Sequence, residues 1–138
     1  MKRAVLMLGL TLAVGIAVGV IGSRGLTAQQ DTIKRTALLK TDLEGIQGKE
    51  GIVLMVELAP GAATGKHYHP GHEFAYVMEG SALVETEGKP PATMKRGSVA
   101  HLAPNEVHNV KNPSKSEPMK ALVFAIYEKG QPSTVSVK

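Results

Sequence analysis

The side chains in this sequence with the clearest capacity for chemistry are histidines, and two of them are separated by a single residue. His67 and His69 lie in the segment 61–80, which continues through a Pro70-Gly71 turn to Glu73. On an extended strand, residues two apart point to the same face. Two neutral imidazoles and one carboxylate on an inward face can form the first coordination sphere of a divalent transition metal. The spacing therefore predicts a metal site on a hairpin whose second strand begins near Glu73.

A fourth candidate ligand, His108, opens another strand just after the turn signal Pro104-Asn105. Three imidazoles and a carboxylate buried together without a shared cation would be costly, which favours a metal ion among them. Nitrogen and oxygen donors suit one divalent ion of Mn, Fe, Ni, Cu or Zn and argue against Ca or Mg. In an octahedron, four protein ligands would leave two positions for a substrate oxygen or O2.

The other candidate side chains have simpler interpretations. His72 either stands behind the metal ligands as a proton donor or is a solvated loop residue, and the second is preferred because loops lie at the surface. His101 is expected to be a wall or packing residue, and Tyr68 and Tyr76 to be core or interface side chains. The sequence assigns no general acid or base.

The two histidine-bearing segments resemble the two motifs of the cupin superfamily. The first motif, G-x5-H-x-H-x3-E-x6-G, is matched at every fixed position by Gly61, His67, His69, Glu73 and Gly80. The second, G-x5-P-x-G-x2-H-x3-N, is matched by Gly97, His108 and Asn112. Here Ala103 replaces the proline and Asn105 the second glycine, and Asn tolerates the left-handed backbone that Gly would supply.

The resemblance implies an all-β fold, a small β-barrel or double-stranded β-helix of the jelly-roll, cupin type. It also implies one divalent transition metal held by His67, His69, Glu73 and His108. Cupins include dioxygenases, isomerases, decarboxylases, lyases and binding proteins, and the fold does not choose among them. The complete ligand set favours a metalloenzyme acting on a small oxygenated organic molecule, with dioxygenase-like chemistry preferred. The alternatives are a non-catalytic, metal-dependent small-ligand binding protein and a purely structural metal.

Strands must position these side chains, and the composition is that of a turn-rich β protein, with 15 Gly and 8 Pro among 138 residues. Apolar and β-branched runs predict strands at 36–40, 52–58, 66–69, 73–79, 81–86, 99–103, 107–110 and 119–127. Alternation in the fourth of these divides it into two faces. Glu73, Ala75 and Val77 are expected to line a cavity, and Phe74, Tyr76 and Met78 to pack on the opposing sheet.

Residues 1–28 have the pattern of a bacterial secretory signal: a basic start, an uncharged apolar run over residues 4–22 and a cleavage point after Ala28. Cleavage would leave residues 29–138 as a single cupin domain in the periplasm or outside the cell. The alternative is an uncleaved anchor, because a run of 19 apolar residues approaches the roughly 20 that span a bilayer. The protein would then be held at the membrane through residues 4–22.

The charge balance changes when this leader is set aside. The leader holds three of the 16 basic residues and none of the 12 acidic ones, which leaves 13 against 12. This balance gives no case for a nucleic-acid partner. The small-molecule ligand or substrate is what the metal site and the cupin resemblance imply. The absence of Cys excludes disulfides and thiolate ligands. Cupins often pair through edge strands or swapped termini, so a homodimer involving residues 31–40 is expected from the resemblance.

Overall fold

The computed structural model describes residues 32–138, and the regular structure in this range is entirely β. The strands are β1 Ile33–Asp42, β2 Lys49–Leu58, β3 His67–Tyr68, β4 His72–Glu79, β5 Ser81–Thr86, β6 Ala92–Lys95, β7 Val99–Leu102, β8 His108–Lys111, β9 Met119–Glu128 and β10 Val135–Ser136. All of them pair in antiparallel fashion. The prediction of an all-β fold is confirmed.

The strands form two five-stranded sheets that enclose the core. Sheet I has the order β1-β2-β9-β4-β7, and sheet II has the order β10-β3-β8-β5-β6. Strands that follow one another in the chain repeatedly fall in opposite sheets, as in a jelly roll. The predicted double-stranded β-helix is therefore the observed architecture.

The predicted hairpin between the two ligand-bearing strands is wrong. Strand β3, with His67, pairs with β8 and β10 in sheet II, whereas β4, with Glu73, pairs with β7 and β9 in sheet I. Between them the chain crosses from one sheet to the other at Gly71. A Cβ atom at Gly71 would lie 1.9 Å from the carbonyl oxygen of Ile126, so only glycine permits this close passage. The histidines and Glu73 therefore face one another across the sandwich.

Two observed strands were not predicted, and several observed strand boundaries differ from the predicted ones. Strand β6 is four residues between Pro91 and the turn at Gly97, and β10 is two residues beyond 119–127, the last strand that the sequence predicted. Strand β10 exists through its pairing with β3, a contact that no local pattern reveals. Strand β1 runs for ten residues where five were predicted.

Alternating burial along the strands places the core between the sheets. Strand β9 alternates almost perfectly, with Met119, Ala121, Val123, Ala125 and Tyr127 buried. Strand β4 shows the predicted division into two faces, but its second face was assigned wrongly. Phe74, Tyr76 and Met78 are exposed on the outside of sheet I and do not pack on the opposing sheet, because the inner face already carries Glu73, Ala75 and Val77.

The turns of both motifs have the backbone geometry that their residue types favour. Gly80 has a φ of 69°, and a Cβ there would lie 2.5 Å from the carbonyl oxygen of Pro118. Asn105 has a φ of 61°, so the prediction that it takes the place of a glycine in the left-handed region is confirmed. Its N–H donates to the carbonyl oxygen of His69 at 2.7 Å, which connects the second motif to the first.

The proposed leader and its cleavage point lie outside the described residues. Between residues 32 and 138, no helix has the length and apolar character needed to cross a membrane.

Candidate metal centre

Three of the four predicted ligands meet as a cluster of buried imidazoles. His67 and His108 are direct partners in the pairing of β3 with β8, and His69 follows β3 by one residue. Their ring centroids lie 4.4 to 5.1 Å apart. One ring nitrogen from each residue can be chosen so that all three lie within 4.8 Å of one another. The pairing of β3 with β8, and not closeness in the sequence, thus brings His108 to the other two histidines.

A backbone carbonyl holds the Nδ1 atom of each ring. His67 Nδ1 lies 2.8 Å from the oxygen of Gly65, His69 Nδ1 lies 2.7 Å from that of Ser133, and His108 Nδ1 lies 2.8 Å from that of Glu106. Since a carbonyl oxygen can only accept, each Nδ1 carries the proton and donates it. Each neutral ring then keeps its Nε2 lone pair free for a metal, which is the usual arrangement of ligating histidines.

Glu73 reaches this cluster from the opposite sheet. Its Oε2 lies 3.2 Å from His69 Nε2, and its Oε1 accepts a hydrogen bond from the Tyr127 hydroxyl. Donors about 2.0–2.2 Å from one ion are separated by roughly 3.0–3.4 Å, so the Glu73–His69 distance fits a shared ion. On the same geometry, the histidine nitrogens, which lie within 4.8 Å of one another, would need to approach by at most about 1.8 Å. The residues therefore suit a metal ion, and ligation by all four stays a prediction.

Burial sets the protonation of the site in the direction that metal binding requires. Burial lowers the pKa of His67 and His108, and it lowers the pKa of His69 to about 4. All three imidazoles are therefore neutral at pH 7, the form that binds a metal. Burial raises the pKa of Glu73, while the hydrogen bond from Tyr127 acts in the opposite direction. Burial and the nearby carboxylate raise the pKa of Tyr127, which keeps its proton.

The cluster opens onto a cavity of about 250 Å³ between the sheets. Most of the lining is aliphatic and comes from strands of both sheets: Leu54, Val56, Leu58, Ala75, Val77, Ala82, Val84, Met94, Ala100, Leu102, Val110, Met119, Ala121 and Val123. The one cationic side chain in the lining formed by residues 32–138 is Arg35 of β1. Its positive charge favours the ionised form of Glu73 and disfavours protonation of His67 and His69.

Sequence reasoning missed Tyr127, Arg35 and the carbonyl of Ser133. The alternation of β9 could have placed Tyr127 on the buried face, but not beside Glu73, which is 54 residues away in the chain. Arg35 precedes the predicted start of its strand, and its inward direction depends on pairing with Val56. Ser133 lies beyond 119–127, the last predicted strand, where nothing local indicates a contact with His69.

The two remaining histidines lie on the other side of sheet I. His72 Nδ1 is 2.9 Å from His101 Nε2, and their rings stack with centroids 5.2 Å apart. His72 is exposed, as the preferred interpretation expected, but it is the first residue of β4 and not a loop residue. Because it lies on the outer face of sheet I, it does not stand behind the metal ligands as a proton donor. His101 does pack, against His72 and Phe74, but on the outer surface and not at the cavity wall.

The comparison with protein families places this domain in a known family. The cupin domain family matches residues 54–125, which is more than half of the chain. The protein belongs to the cupin superfamily, and its buried cluster is a three-histidine site that can bind a metal ion. A search of curated proteins finds no significant match.

Several solved structures share the fold. A conserved Klebsiella pneumoniae protein with a double-stranded β-helix domain is 21% identical, with 79% of this chain and 87% of that one covered and a TM-score of 0.62. A cupin-like protein from Thermotoga maritima is 27% identical over 76% of this chain and 75% of its own, with a TM-score of 0.58. The DMSP lyase DddQ from Ruegeria pomeroyi is 21% identical, covering 84% of this chain, with a TM-score of 0.63. This chain spans 57% of that lyase.

Proposed function

We propose that this protein is a metal-dependent enzyme that acts on a small oxygenated organic molecule, with oxidation by O2 as the preferred reaction. The observation that carries the proposal is the convergence of three neutral, carbonyl-anchored imidazoles on an apolar cavity. A purely structural site needs no such cavity, whereas a catalytic metal must keep positions open to substrate.

Four side chains would hold the ion. His67, His69 and His108 would bind through Nε2 and Glu73 through Oε2, which suits one divalent ion of Mn, Fe, Ni, Cu or Zn. Such an ion would supply Lewis-acid polarisation of a bound oxygen, or redox chemistry with O2. The carbonyls of Gly65, Ser133 and Glu106 keep the three rings oriented for this role.

The cavity limits the substrate to a small molecule with an apolar body. Its volume of about 250 Å³ lies just below the roughly 300–1,000 Å³ of ordinary ligand pockets. Aliphatic side chains would exclude water from around the substrate, which strengthens every polar interaction within the cavity. Polymers and large cofactors are therefore poor candidates.

Arg35 gives the cavity a preference for a negatively charged group. Arg35 is an exposed residue that lines the cavity, and it forms no ion pair with any carboxylate in the described part of the chain. A planar guanidinium binds a carboxylate through two parallel hydrogen bonds. A substrate bearing a carboxylate or a phenolate could thus be oriented by Arg35 and by the buried polar cluster.

Tyr127 and Glu73 would hold a proton between them beside the substrate. The tyrosine keeps its proton because burial raises its pKa, and it donates that proton in the hydrogen bond to Glu73 Oε1. This bond fixes the carboxylate so that Oε2 faces His69. Both groups line the cavity, so a substrate hydroxyl placed there could donate to the Tyr127 oxygen, whose own proton is directed at Glu73.

The second candidate is a non-catalytic protein that binds a small anionic or phenolic ligand through its metal. The same apolar cavity, with Arg35 as its cationic lining residue in the described part of the chain, favours this candidate. Such a cavity can bind an anionic ligand without any catalytic turnover. Lyase chemistry belongs in the same set of assays, because the DMSP lyase DddQ shares the fold. The leader predicted for residues 1–28 would place the protein in the periplasm or outside the cell.

Oxygen uptake tests the proposal. Protein loaded with each candidate metal would be given small carboxylates, phenols and DMSP, with O2 consumption and product formation followed together. We expect turnover with at least one substrate, loss of it in His67→Ala and retention in the matched variant His101→Ala. Binding without turnover in every case would favour the second candidate, and a product formed without O2 uptake would replace oxidation with lyase or isomerase chemistry.

A further inference from the structure

The outer face of sheet I carries two histidines that the proposed reaction does not use. His72, the first residue of β4, and His101 of β7 are both exposed. His101 pairs with Phe74 across these two strands, so His72 lies diagonally opposite His101 on the same face. The Nδ1 atom of His72 lies 2.9 Å from the Nε2 atom of His101. Neighbouring strands thus hold two imidazoles with one nitrogen of each directed at the other.

The separation of these two nitrogens matches that of two metal ligands at a right angle. Histidine nitrogens lie about 2.0–2.1 Å from the ion that they bind. At a right angle they are then roughly 2.8–3.0 Å apart, whereas a tetrahedral angle separates them by about 3.3–3.4 Å. The observed 2.9 Å fits the right angle. Nitrogen donors at right angles are typical of the tetragonal sites of Cu²⁺ and Ni²⁺, while Zn²⁺ prefers a tetrahedron.

Both facing nitrogens can offer a lone pair to one ion. In a hydrogen bond between two neutral rings, one of these nitrogens carries the proton and the other accepts it. When an ion enters, the proton moves to the second nitrogen of the same ring, which is the other neutral tautomer. Because both residues are exposed, water can accept a hydrogen bond from that nitrogen. Exposure also leaves room for His72 to turn about its last torsion, for which many angles are allowed, until the two lone pairs meet.

The neighbours of the pair neither repel a cation nor leave both rings free to rotate. Phe74 stacks against His101, with ring centroids 4.8 Å apart and 19° between the planes. On β9, Ile126 is the partner of His72 and Phe124 is the partner of Phe74. These three neighbours are uncharged, so they add no electrostatic cost to a bound ion. The stacking on Phe74 limits the rotamers of His101, which lowers the entropy lost when an ion fixes that ring.

We propose that His72 and His101 form a second metal site, separate from the buried centre, that binds Cu²⁺. His72 Nδ1 and His101 Nε2 are its two protein ligands, and water fills the other positions. Nitrogen sites bind Cu²⁺ more tightly than Ni²⁺ or Zn²⁺, and the right angle favours the same ion. Two protein donors hold an ion more loosely than the three or four of the buried centre, so dialysis empties this site. The metal that the protein retains through purification therefore comes from the buried centre.

Equilibrium dialysis of the metal-free protein against Cu²⁺, without a polyhistidine tag, tests the proposal. We expect the wild type to bind one exchangeable ion more than His72→Gln or His101→Gln. The affinity of this site should fall by more than about 100-fold in each, since loss of a ligand exceeds loss of an outer hydrogen-bond partner. Val99→Ala is the matched control, because Val99 is exposed on the same face of β7, two residues from His101. It should keep the ion, as should His67→Ala, which alters only the buried centre.

The double variant His72→Gln/His101→Gln shows whether the two rings share one ion. A shared ion is already lost in either single variant, so the double variant should lose no further ion. Two independent one-histidine sites would instead lose one ion in each single variant and two in the double. Electron paramagnetic resonance of the wild type should show a tetragonal Cu²⁺ signal with two nitrogens, absent from the folded variants as circular dichroism identifies them. Equal Cu²⁺ binding in wild type and single variants, additive losses, or tighter binding of Zn²⁺ than of Cu²⁺ would overturn the proposal.

Discussion

The five histidines of this chain form two groups whose surroundings give them different chemistry. His67, His69 and His108 are buried between the sheets, and a carbonyl anchors each ring. His72 and His101 lie on the outside of sheet I and contact each other through their ring nitrogens. The first group directs three lone pairs at one point, whereas the second offers two rings to solvent or to a partner. Convergence and anchoring, and not the number of imidazoles, define the candidate metal centre.

The largest difference between the groups should appear in metal content. His67→Ala removes one of three anchored donors and should weaken metal binding by more than the roughly 10–100-fold that loss of an outer hydrogen-bond partner causes. His101→Ala should leave metal content unchanged. Elemental analysis of both variants and the wild type, purified side by side, measures this. Equal metal content in His67→Ala and the wild type would refute the assignment of the ligands.

Metal removal distinguishes a catalytic centre from a structural one. If the ion is present at about 100 times its dissociation constant, it stabilises the fold by about 2.7 kcal/mol. For a domain of this size the melting temperature should fall by about 10 °C on chelation, while the chain stays folded. Thermal melting followed by circular dichroism measures the shift. Complete unfolding at 25 °C after chelation would show that the metal has a structural role.

Tyr127→Phe tests the Tyr127–Glu73 hydrogen bond, which lies beside the buried histidines and has no counterpart beside the exposed ones. Removing the hydroxyl leaves Glu73 Oε1 without its buried donor and should cost about 1–3 kcal/mol of the free energy of unfolding. Urea unfolding of the metal-free protein gives the value. His72→Ala, at an exposed position, should change it by less than about 0.5 kcal/mol. Similar losses in the two variants would mean that the Tyr127–Glu73 bond contributes nothing specific.

The metal-free protein should also lose stability as the pH falls from 7 to 5. The three buried histidines have pKa values below the 6.5 of the unfolded chain, so the unfolded state binds more protons in this window. Their contribution is complete above pH 6.5 and declines below it. The raised pKa of Glu73 acts in the opposite direction, since the folded state takes up that proton more readily. Glu73→Gln should therefore steepen the decline, as urea unfolding at each pH would reveal; a shallower decline would contradict the sign.

Much of the site was predictable because it depends on the spacing of residues within short segments. The interval from His67 to His69, the turn before Glu73 and the left-handed position at Asn105 are properties of short segments. The alternation in β4 separated Glu73 from Phe74 correctly. It could not say that Phe74 faces solvent, because apolar residues occupy both faces of that strand.

The rest depended on which strands pair. The sequence predicted a hairpin for β3 and β4, but these strands lie in opposite sheets, and the ligands meet across the sandwich. Arg35 lines the cavity because β1 pairs with β2 in a register that turns it inward. The carbonyl of Ser133 holds His69 across 64 residues of chain. No pattern within a short window encodes such contacts, since they arise from long-range packing.

The sequence by itself determined the fold class, the family resemblance and the identities of the candidate ligands, because residue type and period-two spacing act over a few neighbouring residues. Only the tertiary structure decided that Tyr127 and Arg35 join the cavity and that an apolar face remains on the outside of sheet I. Those outcomes follow from strand register and sheet order, which are set by the balance of contacts over the whole domain.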